Sequence, residues 1–377
     1  MTIGIEAERA NNPQKTGVEH YAKQLILHLA KIDKINFYVL YLRARPENWF
    51  GQLPENFKIK VIPFPVFWTQ IRISWEMLFC PVDVLFIPAS ALPVIHPKKS
   101  VVTIHDVGWR YFPGSFTWFM RNFLEWSTGF AVKKAWKIIA VSESTKRDLV
   151  KYYGVDENKA VVVYHGFDQD GVAEATRSGS EDPSGSRTTG LQEYGGQWPP
   201  LQQPYILFLS TLQPRKNLEG LINAFRIVKQ ENPELPHKLV LVGKPGWKFE
   251  SILETIEKNK DIVEYLNYVS DADRLAVIKR ADLLVLPSFY EGFGMQILEA
   301  FSFGVPVATS NVSSMPEVAA GAAAYFDPKD PRDIAKAIKM VLTDKSLADN
   351  LRAKGKERLK DFSWGKCAQQ TLKVLTS

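Results

Sequence analysis

The chain has 377 residues, 45% apolar and 23% charged. That length predicts two domains, and that balance excludes a disordered, collagenous or coiled-coil chain. The net charge of +6 is concentrated: residues 1–168 hold 21 Lys/Arg against 15 Asp/Glu, and residues 169–377 hold 26 of each, a polarity suited to an anionic partner.

The first half alternates strand and helix signals. Thr2–Ile5 is a short predicted strand, and Val18–Ala30 has helical spacing (Val18, Tyr21, Ala22, Leu25, Leu29). Phe37–Leu42 and Ile59–Pro63 are strand-like, and Val82–Ile87 and Ser100–Ile104 are apolar runs. The aromatic-rich Phe116–Trp136 is a predicted helix, followed by a strand at Lys137–Val141, a helix at Ser142–Tyr153 and a strand at Ala160–Tyr164. In the aromatic helix, Phe119, Phe123, Trp126 and Phe130 are spaced 4, 3, 4, which predicts one buried stripe; Phe116 and Trp118 fall off it and are expected at the surface. Asp170–Gln203 is rich in Gly, Ser, Thr, Pro and Gln and reads as a linker or mobile loop.

The alternation then restarts. Strands are predicted at Tyr205–Leu209, Lys238–Val242, Val263–Tyr268, Leu283–Pro287 and Pro306–Thr309. Helices are predicted at Leu218–Gln230, Phe249–Lys258, Ala272–Arg280, Gly294–Phe303, Ile334–Leu342 and Ser346–Phe362. Strands separated by helices imply parallel sheets with helical crossovers. The expected organisation is a first domain over 1–169, a linker over 170–203, a second domain over 204–360 and a C-terminal helix over 361–377 that crosses back to the first. Ligands of such sheets bind beyond the carboxyl ends of the strands, so the site is expected in a cleft between the halves.

No apolar run reaches the roughly 20 residues of a membrane span. Met1-Thr2-Ile3-Gly4-Ile5-Glu6 has neither a basic start nor a long apolar stretch, so no signal peptide is expected. The thiols Cys80 and Cys367 form no disulfide framework or metal motif, which fits a cytoplasmic setting.

The most specific string is Pro287-Ser-Phe-Tyr-Glu291-Gly292-Phe293-Gly294-Met-Gln-Ile-Leu-Glu299-Ala300. A strand ends, a glycine-containing turn follows and a helix begins; amides at such a helix start attract phosphate. Glu291 and Glu299 are eight residues apart, about 80° round a helix, so both can face one ligand, and a carboxylate accepts hydrogen bonds from sugar hydroxyls. The plain alternative is a solvated glutamate at each end of a strand–turn–helix. Arg215 and Lys216 lie between a strand and a helix, where they either neutralise a diphosphate or stand exposed. His105 follows a strand and is either structural or site-facing, and Asp106 either orients it or begins the next loop. Gly17 sits in the first strand-to-helix loop, without a GxGxxG fingerprint. Asp271-Ala272-Asp273 and Asp168-Gln169-Asp170 match a DxD pattern; helix capping accounts better for Asp271, and no catalytic metal is expected.

These motifs resemble those of retaining glycosyltransferases with the GT-B fold, especially glycosyltransferase family 4. The likeness extends to His105-Asp106-Val107, Val141-Ser-Glu-Ser-Thr145, His165-Gly-Phe-Asp168, Leu212-Gln-Pro-Arg-Lys-Asn-Leu218 and Ser310-Asn-Val-Ser-Ser-Met-Pro-Glu317. It implies an α/β fold of two Rossmann-like domains with parallel sheets facing across a cleft. It also implies an enzyme that moves a hexosyl unit from a nucleoside-diphosphate sugar to a glycan or polyprenyl-linked acceptor with retained configuration. In that reading Gly17 admits the donor phosphate, and Lys216, Arg215 and the backbone of Gly292, Phe293 and Gly294 hold the diphosphate. Glu291 binds the sugar, Glu299 the ribose, and His105 lies near the transferred sugar. Where many members have an arginine after the first strand of the second domain, this chain has Ser210-Thr211, so Arg215 is assigned the second charge. The nearest likeness is to mannosyl- or rhamnosyltransferases of bacterial surface polysaccharide, which makes GDP-mannose the first expectation for the donor. No cofactor and no nucleic-acid partner are expected. Peripheral attachment to the anionic inner face of the cell membrane is expected through the first domain. The alternatives are a nonenzymatic sugar-nucleotide-binding scaffold and a sugar-nucleotide epimerase of the same fold.

Overall fold

A computed structural model describes residues 1–12, 17–46, 50–167, 203–267, 269 and 271–377. All but the last residue of the predicted linker, and the Asp168-Gln169-Asp170 pattern, lie outside the described residues. The chain divides into two compact units, Met1–Gly166 with Phe362–Ser377, and Phe167–Asp361.

The first unit is built on seven strands: β1 (Thr2–Glu6), β2 (Phe37–Leu42), β3 (Phe57–Val61), β4 (Val84–Ile87), β5 (Ser100–Ile104), β6 (Lys137–Ala140) and β7 (Ala160–Val162). Every pairing is parallel, in the order β3-β2-β1-β4-β5-β6-β7. β4 and β5 are buried along their whole length, which is why they read as unbroken apolar runs rather than alternating ones. The helices are α1 (Gly17–Ile32), α2 (Ser74–Phe79), α3 (Gly108–Tyr111), α4 (Trp118–Lys134) and α5 (Glu143–Tyr153). The strand order runs one way from β1 to β3 and the other way from β4 to β7. Right-handed crossovers therefore place α1 on one face of the sheet and α2, α4 and α5 on the other.

The second unit has six strands: β8 (Tyr205–Leu209), β9 (Lys238–Val242), β10 (Val263–Leu266), β11 (Leu283–Leu286), β12 (Val307–Ser310) and β13 (Ala323–Phe326). They are again all parallel, in the order β10-β9-β8-β11-β12-β13. Its helices are α6 (Leu218–Glu231), α7 (Glu250–Lys258), α8 (Asp271–Arg280), α9 (Met295–Ser302), α10 (Met315–Ala319), α11 (Pro331–Thr343) and α12 (Lys345–Arg358). The last helix, α13 (Trp364–Thr376), belongs to the first unit. It lies on α1, and Trp364, Cys367, Ala368 and Leu375 share a core with Ile3, Tyr21 and Leu25.

Two expectations need correction. The helix predicted to run to Phe362 ends at Arg358, and a single turn, Leu359–Asp361, leads to Ser363, whose hydroxyl caps α13 through the Lys366 amide. The aromatic stripe of α4 is not buried. The buried positions are Ser127, Thr128, Ala131 and Val132, while Phe119 and Trp126 are exposed and Phe123 and Phe130 half-buried. The spacing correctly puts the four rings on one side, but small residues let the other side approach the sheet closely. Of the two residues expected at the surface, Trp118 is exposed and Phe116 is half-buried.

Candidate active site

In both units the strand order reverses beside the first strand, between β1 and β4 and between β8 and β11. Loops leaving the carboxyl ends at such a reversal diverge and leave room for a ligand. The loop after β8 carries Arg215 and Lys216, and the loop after β11 carries Glu291.

Several contacts tie these loops together. The Phe289 amide donates to the Arg215 carbonyl at 3.0 Å. Asn217, in the left-handed region at φ 56°, donates from Nδ2 to the carbonyls of Pro287 at 3.2 Å and Pro328 at 2.7 Å. Pro214–Lys216 forms one tight turn, whose last residue projects its side chain at the second loop. Lys216 Nζ donates to Glu291 Oε1 at 2.5 Å with both side chains buried. Ser288 Oγ donates to the same oxygen at 2.6 Å, and Arg215 Nη1 reaches Glu291 Oε2 at 3.4 Å and the Tyr290 carbonyl at 3.0 Å.

Burial pushes the Glu291 carboxyl up, but the Lys216 and Arg215 charges, with hydrogen bonds from Lys216 and Ser288, outweigh it and hold the group below the ordinary glutamate range. It is therefore an anion at neutral pH. Oε1 accepts from Lys216 and Ser288, and Oε2 meets the Arg215 guanidinium at the longer distance; a carboxylate oxygen has lone pairs enough to accept a hydroxyl donor as well.

The turn after Glu291 is pinned from β12's loop. Ser313 Oγ donates to the Glu291 carbonyl at 2.6 Å, and Ser314 Oγ contacts the carbonyls of Glu291 and Phe293, both at 2.9 Å. Gly292, Phe293 and Gly294 are buried there, and Gly294 has φ 98°, a conformation that suits glycine and turns the chain into α9. Glu299 lies in α9 and is ion-paired through Oε1 with Arg274 of α8. Lys216, Arg215, Glu291 and the glycine turn thus form one cluster, with Glu299 further along α9.

Gly17 and His105 lie in the first unit, after β1 and β5. A Cβ on Gly17 would meet no atom within 4 Å, so packing does not demand glycine there. His105 Nε2 contacts the Pro88 carbonyl at 2.9 Å. A carbonyl only accepts, so Nε2 carries the proton and, in the neutral ring, Nδ1 is left as an acceptor. Burial lowers the His105 pKa, and the ring meets Tyr21 and His165 edge-on. Asp106 does not take the imidazole: its Oδ1 accepts the Gly108 amide at 2.9 Å and starts α3. Asp271 is the first residue of α8. Among the described residues no three His, Cys, Asp or Glu side chains group to hold a metal ion, and no helix is long and apolar enough to cross a membrane.

Sequence reasoning missed Ser288 and Arg274. Ser288 stands three residues before Glu291 and was visible in the string, but a serine there carries no signal of its own. Arg274 is 25 residues from Glu299 on another helix, and only the fold brings the two together.

Residues 197–358 match the family model described as glycosyl transferases group 1, and residues 15–170 match that of glycosyltransferase family 4. The chain is 32% identical over 277 residues to the O-antigen chain mannosyltransferase B of Escherichia coli, covering 73% of this chain and 69% of that protein. It is 26% identical over 291 residues to the serotype-specific mannosyltransferase WbdA of the same species, covering 74% of this chain but only 34% of that longer protein. Among solved structures, the sucrose-phosphate synthase of Thermosynechococcus elongatus superposes with a TM-score of 0.73 at 17% identity over 100% of this chain and 98% of that one. The Anabaena protein HepE in complex with UDP-glucose gives 0.69 at 17% identity, covering 100% and 99%; the lipopolysaccharide glycosyltransferase WaaG gives 0.69 at 15%, covering both chains fully. Two parallel sheets of GT-B type, two adjoining family matches and a 32% identical relative lead to one conclusion: the chain belongs to glycosyltransferase family 4 and is a glycosyltransferase.

Proposed function

We propose that this enzyme transfers a mannosyl unit, with retention, from GDP-mannose to a hydroxyl of a growing surface glycan carried on a polyprenyl lipid. The observation that carries the reading is the buried Lys216–Glu291–Arg215 cluster at the β8/β11 reversal. It joins cations suited to a diphosphate with a carboxylate suited to sugar hydroxyls. The sugar and acceptor class follow the names of the mannosyltransferase relatives.

In this reading Arg215 and Lys216 turn toward the diphosphate, aided by the amides at the start of α9, and stabilise the charge that grows there. Glu291 holds sugar hydroxyls through Oε2. Glu299, oriented by Arg274 through its other oxygen, holds the ribose. Gly17 lets backbone approach the donor phosphate, and His105 accepts a sugar hydroxyl at Nδ1. The bond from C1 to the diphosphate oxygen breaks with its electron pair on that oxygen. The acceptor oxygen bonds C1 on the same face, and its proton passes to the departing diphosphate. Neither a metal nor a cofactor enters the scheme. The acceptor's lipid brings the work to the cytoplasmic face of the membrane.

A thermal-shift screen of UDP-, GDP-, ADP- and dTDP-sugars tests the donor, with the largest rise expected for GDP-mannose. NMR of the product should show the donor's anomeric configuration, and an inverted product would overturn the mechanism. Initial rates should be nearly unchanged in excess chelator.

A further inference from the structure

The second face of the first unit's sheet carries a surface made of none of the residues assigned above to the transfer. The outward side of α2 presents Ile71 just before it, then Trp75, Leu78 and Phe79, with Trp75 61% and Phe79 63% exposed. α4 opens with Trp118, 75% exposed, and Phe119, 64% exposed, and carries Trp126 one heptad further on. Its ring stripe lies about 140° round the helix from its buried positions, so these rings point away from the sheet.

Ring contacts link α4 to the segments that flank α2. Phe67, seven residues before α2, meets Phe123 with ring centroids 6.4 Å apart. Trp126 stacks on Phe130 at 5.9 Å, and Phe130 meets His96 at 6.3 Å. Beside His96, exposed Val94 and Ile95 are held to α2 by the Ile95 amide donating to Ser74 Oγ at 3.1 Å. Six aromatic side chains, each half-exposed or more, place roughly 700 Å² of ring surface in solvent. That exceeds the largest patch of an ordinary monomer, about 300–600 Å².

The charge around the patch is mainly positive. Residues 64–80, 94–99 and 116–134 contain Arg72, Lys98, Lys99, Arg121, Lys133 and Lys134, against Glu76 and Glu125 only. Both acids are already committed, Glu76 to Lys60 and Arg72, and Glu125 to Arg110. Lys133 stands one heptad after Trp126, at the edge of the ring stripe. Protruding tryptophans edged by lysines match a membrane interface: indoles sit at the headgroup level, and ammonium groups meet anionic phosphates. A protein partner of mixed charge gains little from a rim that is mainly positive.

We infer that the face formed by α2, the 94–96 loop and the exposed side of α4 is the site by which this enzyme docks on an anionic lipid bilayer. The assignment rests on the patch and its charge, and holds whatever the sugar or the acceptor.

Co-sedimentation with phosphatidylcholine vesicles, with and without phosphatidylglycerol, tests it. The full chain should partition onto anionic vesicles at low salt and at least tenfold less onto neutral ones or at high salt. Trp75→Ser/Trp118→Ser/Phe119→Ser should lose binding, and Lys133→Glu/Lys134→Glu should lose its salt-sensitive part. Both variants alter exposed side chains outside the donor site, so nucleotide-induced thermal shifts should match the wild type and certify folding. Wild-type protein that stays in solution with anionic vesicles at low salt would overturn the assignment. So would variants that bind like the wild type, or an ultracentrifuge result in which the aromatic variant only converts a dimer to a monomer.

Discussion

Lys216 and Glu291 are buried against each other, so removing one strands the other. Lys216→Met should destabilise the protein by about 3–5 kcal/mol because a carboxylate is left without its main counter-charge. Glu291→Gln removes that carboxylate, so the double variant should cost clearly less than the two single changes together, as read by denaturant melts in a double-mutant cycle. Additive costs would show that the pair is not coupled. Glu291 also sets a pH response. Its folded pKa lies below the unfolded value, so its stabilisation is present above about pH 4.5 and is lost as pH falls through the folded pKa. Glu6 behaves oppositely. It is the last residue of β1, buried beside the β1/β4 reversal, and burial raises its pKa to about 7 although Arg9 opposes the shift. Its contribution is full below the unfolded pKa and is lost as pH rises through about 7. Glu6→Gln should therefore flatten the decline in stability between pH 5 and 8 by about 3 kcal/mol. Melts of variant and wild type with parallel slopes over that range would refute it.

Helices and strands were legible wherever burial imposed a pattern. The predicted bounds of β2, β5, β8 and β9 match the observed ones because mostly buried parallel strands are apolar-rich runs without regular alternation. The amphipathic α1 and α6 were read within two residues for the same reason. α4 misled because periodicity reports which residues share a side, not which side meets the core. Its core-facing side is made of Ser127, Thr128, Ala131 and Val132, and a hydrophobicity count ranks the rings above them. Lys216 and Glu291 were legible as motif residues, but their mutual contact, like that of Arg274 with Glu299, exists only once the strand order brings the loops together. The packing of α13 also escaped the sequence. Gly166 was read as part of a motif, yet its role is steric: a Cβ there would lie 2.4 Å from the backbone nitrogen and Cα of Trp364. Gly166→Ala must push the start of α13 off the first unit, at about 1–3 kcal/mol, seen as a lower Tm. Gly17→Ala, whose Cβ meets nothing within 4 Å, should leave Tm within the scatter of surface changes.

Across the whole molecule, the charge divides by unit, and the folding order follows from where the last helix packs. With Phe362–Ser377 included, the first unit holds 23 Lys/Arg against 14 Asp/Glu, a net +9, while the second holds 24 against 27, a net −3. The basic character is thus a property of the unit that carries the aromatic surface, and the Lys216–Glu291–Arg215 cluster sits in a slightly acidic one. The first unit is also discontinuous. Its core takes Trp364, Cys367, Ala368, Val374 and Leu375 from the far end of the chain, so it cannot close until that helix is present. The second unit, Phe167–Asp361, is contiguous and has a separate core around Phe208, Phe225 and Leu241. Ending the chain at Asp361 should therefore open the first unit and spare the second. Each large buried side chain lost typically costs about 2–5 kcal/mol, so losing Trp364, Val374 and Leu375 together is comparable to the whole margin of a domain. Hydrogen exchange should show protection collapsing in β1–β5 and α1 while β8, β9 and β11 stay protected, and calorimetry should show one transition missing. Uniform loss of protection in both units would mean that the second unit depends on the first, and full protection in both would mean that α13 contributes little to the first unit's core.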